Sequence, residues 1–338
     1  MLFRHDFGID LGSGMVKIYD SKTDLVVKER NMIAIRDEES ILAVGNKAYD
    51  VFEKTPRNIK VVLPMQNGRI NDVLMLEATL HTLLRRCNPH MGRHSVLYFT
   101  VPVDITEIER RAYYTIAHKG TLRKCRILLV EKPIADAISL GIPISRTGGS
   151  MIINIGAQST ELSVIVSNRV ILSQLVPIGG RQFDQAISVA ARRKNSLIIS
   201  ERTADYLKLH LTDLTVKNPD VRKAMGLDAI TGMPRDGMMS SAMVTGAVLE
   251  QIDQLVQSIR RFMEHIPPQI MNSIRKEGIY LAGGSARIKD LDRFLSKRLG
   301  TDIRVSQDFD SCTILGLREL IQHKSLQHWA TVPRNRKA

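Results

Sequence analysis

Two short stretches decide the fold: Asp10-Leu11-Gly12-Ser13-Gly14-Met15-Val16-Lys17 and Asn154-Ile155-Gly156-Ala157-Gln158-Ser159-Thr160-Glu161. Each contains a turn of small residues that follows one apolar strand and precedes another, which is the pattern of a β-hairpin. Turns built from glycine and serine let backbone N–H groups crowd around a phosphate. One such turn alone is usually only a hairpin. The repetition predicts two hairpins that clamp the phosphates of a nucleotide between two halves of the molecule.

Length and composition indicate a soluble protein of two domains. A chain of 338 residues is too long for one ordinary compact core, and its 43% hydrophobic and 25% charged residues are typical of globular proteins. No apolar run approaches the roughly 18 residues that span a bilayer. The N-terminal Met1-Leu2-Phe3 reaches Arg4 and Asp6 too early for a signal peptide.

The cysteines and the net charge narrow the compartment and the partners. Cys87, Cys125 and Cys312 lack metal-ligand spacing and are odd in number, which favours a reducing cytoplasm. A net charge of +13 favours a polyanionic partner such as an acidic membrane face, although charges spread over a solvated surface explain it equally well. Because aromatic residues are only 5% and form no zinc-finger or RNP-like pattern with the basic ones, we expect no nucleic-acid partner.

The periodicity of apolar residues predicts strands and helices along the whole chain. Before Gly148-Gly149, which predict a boundary near residues 143–149, the predicted elements are strands 7–9, 16–19, 25–28, 32–35, 41–44, 96–101 and 127–130, with helices 72–86, from Thr106 onward and 134–140. After it they are strands 151–155, 162–166, 169–176 and 278–282, with helices 183–193, 201–211, 240–265 and 289–299. Thr106 and Glu109 have the spacing of a capping box. Gly283-Gly284-Ser285-Ala286 joins a strand to a helix, as anion-binding corners do, although such corners are commonly only packing.

Further segments, in the same order, resemble the MreB family of bacterial actin homologues within the actin, Hsp70 and sugar-kinase superfamily. These segments are Leu42-Ala43-Val44-Gly45, Lys54-Thr55-Pro56-Arg57-Asn58-Ile59, Pro64 to Gly68, Val101-Pro102 with Ile105-Thr106-Glu107, Pro133-Ile134-Ala135 with Ala137-Ile138, Ile178-Gly179-Gly180, Asp184, Glu201-Arg202-Thr203-Ala204, Pro267-Pro268 and Gly283-Gly284.

The resemblance implies an α/β chain with the actin-like fold: two ribonuclease-H-like domains, each with a small inserted subdomain, and ATP in the cleft between them. The first domain is expected at residues 1–143, with its insertion at 30–72 and a completing helix at 312–330. The second is expected at 144–311, with its insertion at 181–238, and a basic tail follows at 331–338.

The resemblance also assigns nucleotide-binding residues by position. The first phosphate loop is Asp10, Gly12, Ser13 and Gly14, and Asp10 is expected to hold magnesium through water. The second loop and the remaining contacts near the phosphates or the adenosine are Gly156, Ala157, Gln158, Ser159, Thr160, Gly179, Gly180, Lys208, Gly283, Gly284 and Ser285. A tight turn is the alternative for the glycines, and a solvated helix position is the alternative for Lys208.

Three positions depart from the family. Lys17 stands where the family has no lysine but eukaryotic actin has one that reaches the phosphates; a lysine pointing to solvent is the alternative. Asn154 replaces an aspartate that helps to hold the metal and the attacking water. Lys132 replaces the glutamate that positions this water, and a lysine ammonium has only donors. Glu131 is not expected to substitute, because adjacent residues of a strand point to opposite faces.

These departures change the charge expected at the reaction centre. Asparagine for aspartate adds one unit and lysine for glutamate adds two, and unit charges about 4 Å apart interact by about 4 kcal/mol at an effective dielectric constant near 20. An amide cannot serve as a base at neutral pH. We therefore expect a protein that binds ATP, binds magnesium weakly, and hydrolyses ATP slowly or not at all, with Lys17 and Lys132 partly replacing the charge of the metal.

The resemblance further implies a homopolymer on the inner face of the cytoplasmic membrane that guides wall synthesis with membrane proteins and possible copolymerisation with a standard MreB paralogue. The loop at residues 85–94 has Met91 as its only large apolar residue and is basic, so attraction to anionic lipids is expected to replace insertion. The tail, with Trp329, Arg334, Arg336 and Lys337, could add to this attachment. A plasmid- or organelle-positioning filament is the alternative function. A small-molecule kinase is disfavoured, since it needs a carboxylate base.

Overall fold

The computed structural model describes residues 5–52, 56, 58–88, 95–117, 122–215 and 219–333. The chain divides into two compact units. The first unit comprises Met1–Thr147, Ser167–Ser173 and Ser311–Ala338, and the second comprises Gly148–Val166 and Gln174–Asp310.

The strands and helices alternate along the chain. Up to residue 147 they are β1 (Asp6–Leu11), β2 (Met15–Asp20), β3 (Leu25–Arg30), β4 (Ile33–Arg36), β5 (Ser40–Val44), α1 (Asn46–Val51), β6 (Ile59–Val62), β7 (Met65–Gln66), β8 (Arg69–Ile70), α2 (Val73–Cys87), β9 (Val96–Val101), α3 (Glu107–Ala117), β10 (Arg126–Glu131) and α4 (Lys132–Ser139). From residue 148 they are β11 (Ser150–Ile155), β12 (Thr160–Val166), β13 (Arg169–Val176), α5 (Gly180–Asn195), β14 (Leu197–Ile198), α6 (Glu201–Leu211), β15 (Val221–Asp228), β16 (Pro234–Ser240), α7 (Ser241–Glu264), α8 (Pro268–Glu277), β17 (Ile279–Ala282), α9 (Leu291–Leu299), β18 (Ile303–Val305) and α10 (Cys312–Gln322).

The central sheet of the first unit has the order β10-β9-β1-β2-β3. Strand β1 pairs antiparallel with β2 and parallel with β9, so the first hairpin lies in the middle of this sheet. Its strands are apolar because they are buried, with Phe7, Ile9 and Phe99 fully inaccessible to solvent. Helix α10 packs against α4, and a side chain at Gly316 would place its Cβ 1.7 Å from the carbonyl oxygen of Ala135. Only glycine allows this approach.

The main sheet of the second unit has the order β13-β12-β11-β17-β18. Strand β11 pairs antiparallel with β12 and parallel with β17, which repeats the arrangement of β1 with β2 and β9. Helix α7 begins at the N-cap Ser240, whose side chain accepts a hydrogen bond from the N–H of Met243. The apolar face predicted for this helix is confirmed, since Val248, Ile252 and Ile259 are all buried.

Several local predictions are confirmed. The capping box forms at α3, where the N–H of Thr106 donates to Glu109 over 2.9 Å and the N–H of Glu109 donates to the Thr106 hydroxyl over 3.2 Å. The predicted helices 201–211 and 240–265 are α6 and α7 within one residue at each end. The helix predicted at 183–193 begins earlier, at Gly180, because Gly179 is its N-cap.

Other elements were not predicted. The hairpin of β15 and β16 escapes prediction because Gly226, Gly237 and charged residues interrupt its apolar pattern. Helix α8 begins directly at Pro268, which sequence reasoning assigned only to the end of the preceding helix. None of the described helices combines the length and the apolar character that crossing a bilayer requires.

Candidate phosphate-binding site

The first hairpin holds its two charged residues side by side. Asp10 and Lys17 are directly paired in the register of β1 and β2. Because paired residues of antiparallel strands project from the same face, their side chains meet, and the Lys17 Nζ lies 3.1 Å from the Asp10 Oδ2. Lys17 is only 8% exposed, so the alternative of a lysine pointing to solvent is wrong.

Asp10 is the centre of a small cationic cluster. Its Oδ1 accepts a hydrogen bond of 2.9 Å from the Thr100 hydroxyl, and the charge of Lys132 also acts on it. Burial alone would raise the pKa of Asp10, but the charges of Lys17 and Lys132 and the hydrogen bonds from Lys17 and Thr100 outweigh burial and hold the pKa below 3.8. Asp10 is therefore ionised at neutral pH, and its two lysine neighbours leave the cluster with a net formal charge of +1.

The backbone of the first turn keeps donors available for a ligand. The N–H of Gly12 donates to the carbonyl of Met15 over 3.0 Å, and the Ser13 hydroxyl accepts from the N–H of Gly68 over 2.8 Å. Within the described residues, the N–H groups of Ser13 and Gly14 donate to no other group. Both residues are buried, and a buried N–H without an acceptor is rare, so a ligand oxygen is the natural partner.

Asn31 supports this turn and was missed by sequence reasoning. It is fully buried, its Nδ2 donates to the carbonyl of Gly12 over 2.8 Å, and its own N–H donates to the carbonyl of Gly14 over 3.1 Å. It lies just before β4, far from the turn in sequence, so no local pattern could have indicated its role.

The interpretation of Glu131 needs a correction of its reason. Glu131 is the last residue of β10 and Lys132 the first residue of α4, so strand alternation does not govern their directions. Glu131 lines a pocket of about 300 Å³ with Arg110 and Trp329. Burial raises the pKa of Glu131 and the charge of Arg110 opposes this rise, whereas the charge of Lys132 acts on Asp10. The two side chains thus serve different surroundings.

The second hairpin is braced by the start of helix α5. The N–H groups of Gly180 and Arg181 donate to the carbonyls of Gly156 and Ala157 over 2.9 and 2.7 Å. The Thr160 hydroxyl donates to the carbonyl of Ile178 over 2.7 Å. These bonds tie the turn to α5 through its carbonyl oxygens and leave its N–H side free of them.

Open donors occur in this turn as well. The N–H of Gly156 donates to the carbonyl of Ser159 over 2.9 Å, and Gln158 is buried. Among the residues that the structure describes, the N–H groups of Ala157 and Ser159 donate to no acceptor. Each hairpin therefore presents two uncommitted N–H groups, as a phosphate-binding turn requires.

Close packing explains two of the predicted glycines. A Cβ on Gly179 would lie 2.7 Å from the nitrogen of Ser159. Gly283 has a φ of +95°, and its Cβ would lie 2.3 Å from the carbonyl oxygen of Ile155. Gly284 begins the 3₁₀ turn that follows, in which Ser285 is buried and its hydroxyl lies 3.4 Å from the carbonyl oxygen of Gly156. The turn at Gly283 thus borders the second hairpin.

Glu161 is a carboxylate that sequence reasoning did not consider. It is paired in register with Asn154, as Lys17 is paired with Asp10, and it is 7% exposed. The two hairpins therefore carry different charged pairs at equivalent places, aspartate with lysine in the first and asparagine with glutamate in the second. A strand pattern cannot reveal such a pair before the register is known.

Lys208 is buried and not a solvated helix residue, so that alternative is wrong. Its Nζ lies 2.8 Å from carboxylate oxygens of both Asp184 and Asp205 and 3.4 Å from the carbonyl oxygen of Gly180. Burial raises the pKa of Asp184 to about 6 although the charge of Lys208 opposes the rise. Lys208 thus connects helix α6 to the start of α5, next to the second hairpin.

We expect Lys208→Met to lower the free energy of unfolding by about 3 kcal/mol at pH 7.5, because it leaves the Asp184 carboxylate buried without this cation. The folded-state pKa of Asp184, about 6, lies above its ordinary 3.8, so protonation of this group favours the folded state and that contribution is lost as the pH rises through 6. The loss in the variant should accordingly shrink at pH 5, where the carboxyl is neutral.

Denaturant unfolding of both proteins at the two pH values measures this effect. Lys194→Met, at an exposed lysine in the last turn of α5, is the matched control and should change stability by less than about 0.5 kcal/mol at either pH. An equal loss at pH 5 and pH 7.5 would contradict the assignment.

The residues present do not fit an ordinary magnesium site. Both oxygens of Asp10 already accept hydrogen bonds, from Lys17 and Thr100, and two cations act on this carboxylate. Asn154 supplies no charge. No group of three or more His, Cys, Asp or Glu side chains that could hold a metal ion occurs in the part of the chain that the structure describes. The same cations and the open N–H groups do fit a phosphate.

Comparison with known proteins gives one consistent result. The family model described as "MreB/Mbl protein" matches residues 4–328. The cell shape-determining protein MreB of Escherichia coli K12 is 33% identical over 324 residues, which cover 93% of this chain and 92% of that protein. The structure is similar to MreB5 of Spiroplasma citri bound to ADP, with a TM-score of 0.88, 25% identity and coverage of 95% of this chain and 97% of that one. It is also similar to the MamK double helical filament, with a TM-score of 0.76, 16% identity and coverage of 95% and 99%.

Proposed function

Because the chain belongs to the MreB/Mbl family and has the actin-like fold, we propose that it is an ATP-binding cytoskeletal protein that forms filaments and acts in cell-shape determination. The family match and the curated relatives support the cytoskeletal role. The structure of MreB5 with bound ADP supports a nucleotide as the ligand.

The open backbone donors carry the nucleotide part of the proposal. In each unit a buried hairpin turn presents two N–H groups that no other described group accepts, at Ser13 and Gly14 and at Ala157 and Ser159. We propose that both turns donate to the phosphates of one ATP. Lys208, Gly179, Gly180 and the turn at Gly283 then support the second hairpin or border the nucleoside.

The cations around Asp10 define how this ATP is held. Lys17 and Lys132 place two positive charges near one carboxylate, so the first hairpin attracts a phosphate without a metal. Magnesium would otherwise screen the phosphate charge, but these residues suit it poorly. Hydrolysis is slow or absent in this proposal, because Lys132 and Asn154 cannot accept the proton of an attacking water.

The remaining parts of the proposal concern assembly and location. The likeness to the MamK filament favours self-association, although at 16% identity it bears on the fold alone. We propose a homopolymer at the inner face of the cytoplasmic membrane that works with wall-synthesis proteins and can copolymerise with a standard MreB paralogue. Of the predicted membrane contacts, residues 89–94 and 334–338 lie outside the described residues, and Trp329 is half-buried.

Electron microscopy of the purified protein on anionic and on neutral lipid, with and without ATP, tests this function. We expect protofilaments with ATP on the anionic lipid and little release of phosphate into the solution. A protein that stays monomeric under all these conditions would contradict the filament, and fast phosphate release would contradict the impaired hydrolysis. A role in positioning plasmids or organelles predicts the same filaments but independence from the lipid.

A further inference from the structure

The second unit contains a pocket whose lining is strongly basic and lies apart from the phosphate hairpins in sequence. Its volume is about 410 Å³, and its walls come from the segment after α6, the C-terminal half of α7 and helix α9. The lining residues are Leu214, Thr215, Arg260, Arg293, Phe294, Lys297 and Arg298. Four of these are cations and none is an acid. Nothing in the proposed ATP site uses them.

The cations are arranged around an aromatic ring. The Arg298 guanidinium lies 5.0 Å from the centre of the Phe294 ring, and Arg260 donates a hydrogen bond of 2.5 Å to the carbonyl oxygen of Arg298. These contacts restrict the two guanidinium groups, which lowers the entropy that a ligand must remove on binding. Phe294 and Leu214 add an apolar wall.

Two neighbouring carboxylates partly balance the charge. Arg293 lies 3.2 Å from Asp290, and Arg298 lies 3.1 Å from Asp253. Both pairs are between exposed or half-exposed side chains, where an ion pair contributes about 0 to 1 kcal/mol, so a more highly charged anion can replace the carboxylates. Lys297 has no ion-pair partner in the described ranges. Four cations against two acids leave a surplus of two positive charges.

We infer that this pocket binds a phosphate group that carries about two negative charges and is joined to an apolar part. Arginine recognises phosphate with two parallel hydrogen bonds, and a phosphate monoester carries about −1.5 to −2 charges at neutral pH. That charge matches the surplus in the pocket. The apolar part of the ligand packs on Phe294 and Leu214. The phosphate belongs either to a free phosphorylated metabolite or to the headgroup of an anionic lipid.

The double variant Arg293→Gln, Lys297→Gln tests this site, since both side chains are exposed and their loss leaves the core intact. The matched control is Arg275→Gln, Lys276→Gln, which removes two exposed charges from helix α8 of the same unit. One arm measures pyrophosphate binding by calorimetry with saturating ATP present. The other arm measures cosedimentation with vesicles of phosphatidylglycerol and phosphatidylcholine against vesicles of phosphatidylcholine alone.

We expect the pocket variant to lose affinity by about tenfold or more and the control by less than about twofold. A loss in the pyrophosphate arm assigns the pocket to free phosphates, and a loss confined to the anionic vesicles assigns it to lipid. Equal behaviour of the two double variants in both arms would overturn the inference, since the net charge alone would then explain binding. Should the double variant fold poorly, Lys297→Gln is compared with Lys276→Gln under the same criteria.

Discussion

Replacing Lys132 by glutamate and Asn154 by aspartate in the same chain is expected to raise the rate of phosphate release from ATP by on the order of 100-fold. The two changes restore a carboxylate that can orient and deprotonate water, and a positioned acid–base group contributes about 10² to 10⁴ in rate. They also change the cluster of Asp10, Lys17 and residue 132 from a formal charge of +1 to −1, which creates the acidic surroundings that a magnesium ion prefers. Phosphate release is measured under single-turnover conditions with magnesium present.

A matched control separates this local effect from a change in net charge. Lys276→Glu with Asn272→Asp alters the charge by the same three units on exposed positions of α8 and should leave the rate unchanged within about twofold. Each single substitution should give less than the pair, because Lys132→Glu alone leaves an amide opposite Glu161. A double variant as slow as the parent would show that other residues limit hydrolysis.

Lys17→Met is expected to weaken ATP binding in the absence of magnesium by on the order of 100-fold. The substitution removes the cation 3.1 Å from Asp10 and leaves a carboxylate, 2% exposed, with Lys132 and Thr100 as its remaining support. Breaking a buried pair in this way costs about 3 to 5 kcal/mol, so the free energy of unfolding should fall as well. Magnesium should restore part of the affinity, since it can take the place of the lost charge.

Lys28→Met is the matched control for this substitution. Lys28 is paired with Lys17 in the register of β2 and β3, but it is exposed and donates to the Ser311 hydroxyl over 2.5 Å. Its replacement should leave ATP affinity unchanged within about twofold, with or without magnesium. Equal effects at the two lysines would mean that Lys17 acts only through the general charge of the protein.

The hairpins were predictable from sequence because each is encoded locally. Apolar strands on both sides of a glycine turn specify a buried hairpin without reference to the rest of the chain. The same holds for α7, whose long apolar face ends at Pro267. The hairpin of β15 and β16 lacks such a signal, because Met225, Leu227 and Met238 lie on its exposed face and its inner face contains two glycines.

The partners of the charged residues were less accessible to sequence reasoning. The identity of Lys132 and Asn154 indicates an altered centre, but the ion pair of Lys17 with Asp10 depends on a register that only the folded sheet shows. The burial of Lys208 likewise depends on packing between α5 and α6, since a lysine on an isolated helix would be solvated. Glu161 was overlooked because its importance lies in facing Asn154 across the strands.

The most direct test of the account is calorimetry of ATP binding to the unmodified protein, with magnesium and then with excess chelator. The two lysines at Asp10 predict that ATP binds in both conditions and that its affinity differs by less than about tenfold, since they supply the charge that a metal would otherwise bring. Binding that disappears with the chelator would contradict this role of Lys17 and Lys132, and no binding in either condition would contradict the phosphate hairpins themselves.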